Sequence, residues 1–555
     1  MKQKNFFKFM LYTLTILLTL AYLIFRLFFT LPTTLGTIAM VSSILVLLVE
    51  LWDFADFFTY YYNILCMNKK APKIPNLSTI TEYPDVDIFI ATINEHEALL
   101  ENTIIACKNM NYPDKSKVHI YLCDDGNREN MKNLAKKLEI NYFSRITNKN
   151  AKSGNYNNAL AHTSSPYIAT FDADMAPTPN FLLTTLPFFY EKTENLKSNS
   201  NTSTQSINKI GFVQLPQSFN NPDIFQYRFG LANRVPFEQD YFYHTIQIAK
   251  NATNSVICCG TNTLFSRKAL EDSNGFATNS ISEDIATGMM IESNGYKCIA
   301  LNNVEAYGTA VDDLTGFVKQ RSRWARGCIQ ILKNYSIIGN KGLNYRQKIE
   351  YLSCISYWFF GLRRLVYLLT PLLFSIFGII IIDCDLKTFI ALWLPTYLLK
   401  RFALDVLEGH KRSSTWNTIY ETILTPVIWK ESLKELIGFG NTKFEVTPKY
   451  GPSKKMSKTN KKLLASHSFL LLLNIIGLIM CLINIPSNGL TIYILSLTWL
   501  ISNIFYLTIS VIFDLKYKPK DYSNFKPNMI KNFKLHNWGR VPTVQNAQSG
   551  THYKH

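Results

Sequence analysis

Charge is scarce in this sequence. Of its 555 residues only 18% are Asp, Glu, Lys or Arg, against 47% hydrophobic, and the charges are unbalanced, with 58 basic and 40 acidic side chains. A chain of this length exceeds one compact domain. Its apolar balance excludes a disordered protein and points to a membrane protein with a soluble part. The ten cysteines include no C-x-x-C, and no Cys/His set has zinc spacing. That excludes a zinc module and leaves the expectation of reduced, mostly buried thiols in a cytosolic enzyme. No nucleic-acid-binding motif accompanies the net charge of +18. The basic residues stand beside apolar runs, where they read as the cytosolic flanks of membrane spans. No small-residue cleavage site follows the first apolar run, so an uncleaved anchor is expected.

Long apolar runs are what the chain does have. Residues 7–29 are nearly all apolar, and a second run extends from Leu35 to about Trp52. A helix needs about 20 such residues to cross hydrocarbon. Further spans are expected at about 365–382, 386–403, 466–485 and 490–513, with Arg363 and Arg364 at the start of the third and no charge in mid-span. Residues 411–440 are expected to form an amphipathic interfacial helix. Six spans put both termini on one side. The connections at 30–34, 383–385 and 486–489 lack Lys and Arg, whereas the opposite side carries Lys2, Lys4, Lys8, Lys449, Lys454, Lys455 and others. The positive-inside rule then makes the termini and the intervening domain cytosolic.

Between Val86 and about Asn334 the pattern changes. DIFIATINE, KVHIYLCDDG, YIATFDADM and IGFVQLPQ read as strands ending in polar residues, with helical segments such as HEALLENTIIACKNM between them. That alternation predicts an α/β domain with a mostly parallel sheet, whose ligand binds at the carboxyl ends of the strands. Residues 194–209 are a polar, low-complexity insertion.

The strand ends carry Thr92 and Glu95, then Asp124-Asp125-Gly126, then Asp172-Ala173-Asp174, with Lys152-Ser153-Gly154-Asn155 between the last two. Like charges gathered at one edge repel, and a cation offsets that cost. Mg²⁺ and Mn²⁺ take oxygen ligands and bridge carboxylates to phosphates, so Asp172 and Asp174 suggest a metal-bound diphosphate. Taken singly each motif is weak: Asp-Asp-Gly is also an ordinary turn. Ser282-Glu283-Asp284, heading a helical stretch, could merely cap it. Gln320-Arg321-Ser322-Arg323-Trp324 offers a guanidinium fork for a diphosphate and a flat ring for a sugar, or a basic interfacial helix.

As an ordered set these motifs resemble the processive family-2 glycosyltransferases, the cellulose, hyaluronan and chitin synthases. The similarity covers roughly residues 86–330 and the flanking spans. The family's D-D-G, D-x-D, T-E-D and Q-x-x-R-W correspond to Asp124–Gly126, Asp172–Asp174, Ser282–Asp284 (Ser replacing Thr) and Gln320–Trp324. Phe444-Glu445-Val446-Thr447-Pro448-Lys449 is similar to the F-x-V-T-x-K gating loop of cellulose synthases. Trp538-Gly539-Arg540 is faintly similar to an element of hyaluronan and chitin synthases.

The resemblance implies a nucleotide-sugar transferase (GT-A type) domain inserted between about six transmembrane helices. It would occupy about 82–335, between a helical pair in 1–65 and the helices and spans of 336–440 and 463–515, with the gating region at 441–462 and a tail from 516. It implies that Thr92, Glu95 and Asp125 hold uridine with Asp124 nearby, and that Lys152 approaches the diphosphate. Asp172 and Asp174 would bind Mg²⁺ or Mn²⁺, and Asp284, beside Glu283, would be the general base. Arg323 would steady the leaving diphosphate and Trp324 stack on the acceptor sugar, with Gln320 also substrate-binding and Phe444, Val446, Thr447 and Lys449 closing over the nucleotide. The implied reaction joins glucose from UDP-glucose into a β-1,4 or mixed β-1,3/1,4-glucan and threads it through the bilayer of a bacterial plasma membrane. The alternatives are a hyaluronan- or chitin-type synthase using UDP-N-acetylglucosamine, a non-processive transferase, and a transporter with a binding module.

Overall fold

The computed structural model describes residues 2–70, 72–191, 209–230, 235, 237–311, 313–408, 414–439 and 457–516. The Phe444–Lys449 loop and Trp538–Arg540 therefore lie outside the described residues.

Two long helices open the chain, α1 (Lys2–Phe29) and α2 (Thr37–Lys70). The α/β domain follows. Its strands are β1 (Val86–Thr92), β2 (Val118–Asp124), β3 (Asn141–Ser144), β4 (Tyr167–Asp172), β5 (Ala176–Pro177), β6 (Ile210–Gln214), β7 (Ser218–Phe219), β8 (Thr263–Ser266), β9 (Lys297–Ala300) and β10 (Ala306–Gly308). Helices α3 (Glu97–Lys108), α4 (Glu129–Lys137), α5 (Ala151–Ala161), α6 (Phe181–Thr185), α7 (Ile224–Phe229), α8 (Gln247–Lys250), α9 (Arg267–Asp272) and α10 (Glu283–Ser293) lie between and after them. The chain then continues as α11 (Leu314–Asn334), α12 (Tyr345–Tyr357), α13 (Phe360–Phe377), α14 (Leu386–Glu408), α15 (Ser414–Leu436), α16 (Lys458–Asn488) and α17 (Leu490–Leu515).

The main sheet has seven strands in the order β3-β2-β1-β4-β8-β6-β9, and a small sheet runs β5-β10-β7. The expected parallel pairing holds from β3 to β4, but β8 is antiparallel to both β4 and β6. The sheet is thus mixed: β8 is four residues long and carried no apolar run long enough to stand out. One apolar core, including Ile88, Ile90, Leu122 and Phe171, covers one face; Phe89, Cys123, Ile168 and Phe212 belong to the core on the other. That alternation along β1 is the period-2 pattern of a strand covered on both faces.

Register decides where the polar strand ends fall. Thr92 pairs with Asp124, and Ala91 with Asp172, so three sequence-distant polar termini meet at one edge. Parallel strands entering in step leave in step.

The helical part departs from expectation in four places. The second apolar helix does not stop near Trp52; its membrane-length stretch is Thr37–Leu65. Asp53 and Asp56, which look like an end in the sequence, are accommodated by Arg363 at 3.0 and 2.5 Å. Nor is the bundle free of inner charge: Arg26, fully buried on α1, pairs with Glu50 of α2 at 3.0 Å, and Tyr22 donates to the same carboxylate at 2.7 Å. The third apolar helix spans Phe360–Phe377, ending earlier than expected because Gly378 adopts φ 70° and caps it. Among the described residues five helices are long and apolar enough to cross a membrane: 6–29, 37–65, 360–377, 458–487 and 490–515. The fourth expected span, α14, is a 23-residue helix packed along α1, but Lys387, Lys400 and Arg401 keep it out of that set.

The stretch expected as an interfacial helix is helical as α15, packed against α11, α13 and α17. Thr422 to Pro426 are buried consecutively, so its burial is not confined to one face. None of the nine cysteines whose side chains are described joins a disulfide, and six of them are buried.

Candidate active site

The edge where β1, β2 and β4 end opens into a cavity of about 1900 Å³. Thr92, Glu95, Asp125, Lys152, Asp172 and Asp174 line its domain end. Glu283, Asp284, Gln320, Arg323 and Trp324 line it further along. The cavity then continues between the long helices to Asp383, in the α13–α14 connection, and Thr491, at the start of α17. Of the described candidate residues, only Asp124 is absent from this lining.

Asp124 is instead consumed internally. It is fully buried and accepts hydrogen bonds from the backbone of Gly126 (3.0 Å) and Arg128 (2.8 Å), from Arg128 Nε (3.2 Å) and from Tyr142 (3.1 Å). Arg128 also donates to Thr92 Oγ1 (2.7 Å) and to the Glu95 carbonyl (2.7 Å). Thr92 in turn donates to Glu95 Oε2 at 2.7 Å. Arg128 therefore ties β1 to β2 at the strand ends. Asp125 takes a two-pronged bond from Arg145, Nε to Oδ1 at 2.5 Å and Nη2 to Oδ2 at 2.7 Å. The sequence reading missed both arginines. Their spacing from Asp124-Asp125 carries no pattern, and only their position just after β2 and β3 hinted at the sheet edge.

Lys152, in the first turn of α5, reaches Asp172 Oδ1 at 2.5 Å and the Gly260 carbonyl at 2.8 Å. Burial alone would lower its pKa, but Asp172, Tyr156 and Glu283 outweigh that and hold the ammonium above its usual range. Gly260 is also the meeting point with α10. A Cβ placed on it would lie 3.2 Å from Asp284 Oδ2 and 3.3 Å from Lys152 Nζ. The Ser282 side chain makes no cap bond. Glu283 and Asp284 sit in the first turn of α10, where the helix dipole favours the carboxylate. Burial acts the other way and wins: it pushes Glu283, with help from the Asp284 charge, up to about 7, and it raises Asp284 as well.

On α11, burial pulls the Arg323 guanidinium down while Glu283, Asp172 and Asp284 hold it up, which places it in the field of all three carboxylates. Arg321, unassigned by the sequence, pairs with Glu238 and stacks between Phe317 (4.4 Å) and Trp324 (4.3 Å), so it fixes the Trp324 ring from one side. Its Nη1 donates to Gln320 Oε1 at 2.8 Å. Trp324 stands edge-on to Trp358 at 6.3 Å. Farther along the cavity, Phe389, Trp393 and Tyr397 stack at i, i+4 spacing on α14, with centroids 6.1 and 5.3 Å apart.

No cluster of three or more His, Cys, Asp or Glu suited to a metal occurs among the described residues. Asp172 and Asp174 both face the cavity, Asp172 beside Lys152 and Asp174 accepting from the Thr309 backbone at 3.4 Å, and an ion of the Mg²⁺ type is commonly bound through one or two carboxylates plus substrate phosphates.

At this sheet edge carboxylates, a lysine and an arginine face one cavity that opens between apolar helices. Residues 87–273 match the Glycosyl transferase family 2 model. Residues 191–515, more than half of the chain, match the Cellulose synthase model, and the chain belongs to that family. Over 397 residues it is 34% identical to the cellulose synthase catalytic subunit (UDP-forming) of Pseudomonas fluorescens (strain SBW25), covering 72% of this chain and 51% of that one. Over 394 residues it is 30% identical to cellulose synthase 1 of Komagataeibacter xylinus, covering 71% and 24%. The chain thus spans about half or less of the length of these relatives. Among solved structures it is similar to a mannosyltransferase from Pyrobaculum calidifontis in complex with GDP-Man and Mn²⁺, at 18% identity and TM-score 0.46, covering 71% of this chain and 99% of that one.

Proposed function

We propose that this chain is a processive, inverting glycosyltransferase of a bacterial plasma membrane. It polymerises glucose from UDP-glucose into a β-glucan and passes the product across the bilayer. The observation that carries the reading is the continuity of one cavity from Thr92 and Asp125, past Asp284 and Trp324, to the far ends of α13 and α17. Such a cavity gives a growing polymer somewhere to go.

In this reading Thr92, Glu95 and Asp125 hold the uridine, and Asp124 shapes their edge from behind. Lys152 and Arg323 take the diphosphate as its negative charge grows. Mg²⁺ or Mn²⁺ held by Asp172 and Asp174 would supply further neutralisation of the leaving group. Asp284 accepts the proton of the acceptor hydroxyl as its oxygen attacks the anomeric carbon from the face opposite the departing UDP. The C–O bond to the diphosphate breaks and an α-linked donor becomes a β-linkage. Glu283 keeps the site's negative charge in balance with Lys152 and Arg323. Gln320 lines the site while accepting from Arg321, and Trp324 stacks on the acceptor sugar.

The catalytic domain and both termini are cytosolic, and α14 makes a sixth crossing beside α1. Its cations are compatible with that placement: Lys400 rests 4.7 Å from the centre of the Phe57 ring, and Arg401 is bonded to Tyr397 and Thr415. The purified full-length protein, offered each UDP-sugar in turn with Mg²⁺ or Mn²⁺, should form polymer from UDP-glucose alone. Linkage-specific glucanases then settle β-1,4 against mixed β-1,3/1,4 bonds. Polymer from UDP-N-acetylglucosamine, and none from UDP-glucose, would replace this reading with a chitin-type synthase.

A further inference from the structure

We propose that Arg145 is a positioning residue that couples nucleoside recognition to diphosphate recognition, by clamping the strained turn that aims Lys152. The proposal rests on the reading of Lys152 as a diphosphate-binding side chain. Four hydrogen bonds carry it. Besides the two to Asp125, Arg145 Nη1 donates to the Lys149 carbonyl at 2.7 Å and Nη2 to the Ala151 carbonyl at 2.6 Å. The guanidinium is mostly buried, with 13% of its side chain exposed and 4% of the Asp125 side chain. One planar group thus holds the carboxylate at the end of β2 and two carbonyls of the turn that enters α5.

That turn needs holding. Asn150 and Ala151 have φ of 63° and 43°, and for Ala151 the left-handed region is unfavourable because its Cβ crowds the backbone. Lys152 follows at once, so the direction of its side chain depends on the turn. The Asn150 side chain makes no cap bond to α5, and Arg145 ties this entry to the end of β2 through Asp125. Gly154 supplies an independent sign of tight fit. A Cβ there would collide with the Lys149 carbonyl and sit 2.5 Å from Arg145 Nη1, so the helix can approach the clamp only with glycine at that position. Lysine at 145 could not replace this arrangement, because a single ammonium cannot span the carboxylate and both carbonyls in one plane.

The test compares inhibition by UMP and by UDP, which differ by one phosphate, in the full-length enzyme. In wild type UDP should bind more tightly than UMP. In Arg145→Gln and Arg145→Lys that advantage should shrink by roughly tenfold, the loss expected when a charge-assisted bond to a phosphate is misdirected. In a Lys152→Gln background Arg145→Gln should change the ratio no further. Gly154→Ala should reproduce the effect and decides the matter if the Arg145 variants do not fold. Equal weakening of UMP and UDP, or an unchanged ratio, would overturn the clamp and leave the nucleotide-sugar reading intact. A wild-type enzyme that does not distinguish UDP from UMP would overturn both.

Discussion

Lys152 and Asp172 form an ion pair of 2.5 Å inside the cavity, across the gap between the first turn of α5 and the end of β4. The pair keeps a cation and a carboxylate beside Asp284 by way of Gly260. The lysine thus faces the cavity, where the proposed function places the diphosphate. Replacing Lys152 by Gln should raise KM for UDP-glucose by about ten- to a hundredfold, the scale of a lost charge-assisted bond. Steady-state kinetics with UDP-glucose measure this, and an unchanged KM would remove Lys152 from the donor site.

Asp284→Asn should abolish polymer formation while UDP binding changes little. The amide cannot accept the proton of the attacking hydroxyl, yet it keeps the volume and the hydrogen bond from the Ile285 backbone. Isothermal titration with UDP beside a radiolabelled product assay separates the two effects. Normal synthesis would remove Asp284 as the base.

The pH dependence follows from the same residues. A general base must be deprotonated to act. Burial raises Asp284, so its protonated form gains population above the usual carboxylate range, and burial brings the neighbouring Glu283 up to about 7, so that group protonates as pH falls through neutrality. Turnover should therefore decline from pH 8 toward pH 5, well above the range where an exposed carboxylate titrates. A flat kcat across that interval would show that no buried carboxylate limits the reaction.

Asp174→Ala should remove the dependence of UDP-glucose turnover on Mg²⁺ or Mn²⁺ together with the turnover itself, and weaken metal-dependent UDP binding. Binding measured with and without EDTA reads this directly. Unchanged Mn²⁺ dependence would place the metal elsewhere.

The buried Arg26–Glu50 pair gives a stability test outside the catalytic site. Arg26→Met leaves Glu50 unpaired between helices and should cost about 3–5 kcal/mol, seen as a lower melting temperature in detergent. The double variant Arg26→Met, Glu50→Leu should recover most of that loss, because removing both charges removes the desolvation cost. Equal melting of the single and double variants would contradict the pairing.

The strand ends were legible because a strand's apolar alternation stops where its polar terminus begins, and parallel register then brings Thr92, Asp124 and Asp172 to one edge. The helices bearing Glu283–Asp284 and Gln320–Trp324 were equally plain as motifs. What sequence could not give was partnership across distance. Arg128 and Arg145 owe their place to loop geometry, and β8 is too short to show a period. Asp124, grouped with the ligand-binding residues by its motif, turns out to face Arg128 and Tyr142 instead of the cavity. The second apolar helix runs past Trp52 for a related reason: Asp53 and Asp56 interrupt the apolar run in the sequence, and Arg363, some 300 residues on, pairs with both in the fold.

In the proposed function one enzyme molecule extends one β-glucan repeatedly through the cavity. The most direct measurement is product length at low conversion, with labelled UDP-glucose, full-length protein in vesicles, and digestion by a β-glucanase. Long, β-glucanase-sensitive chains are expected while most enzyme molecules have yet to start a product. Products of one or a few sugars that lengthen together as the reaction proceeds would contradict it.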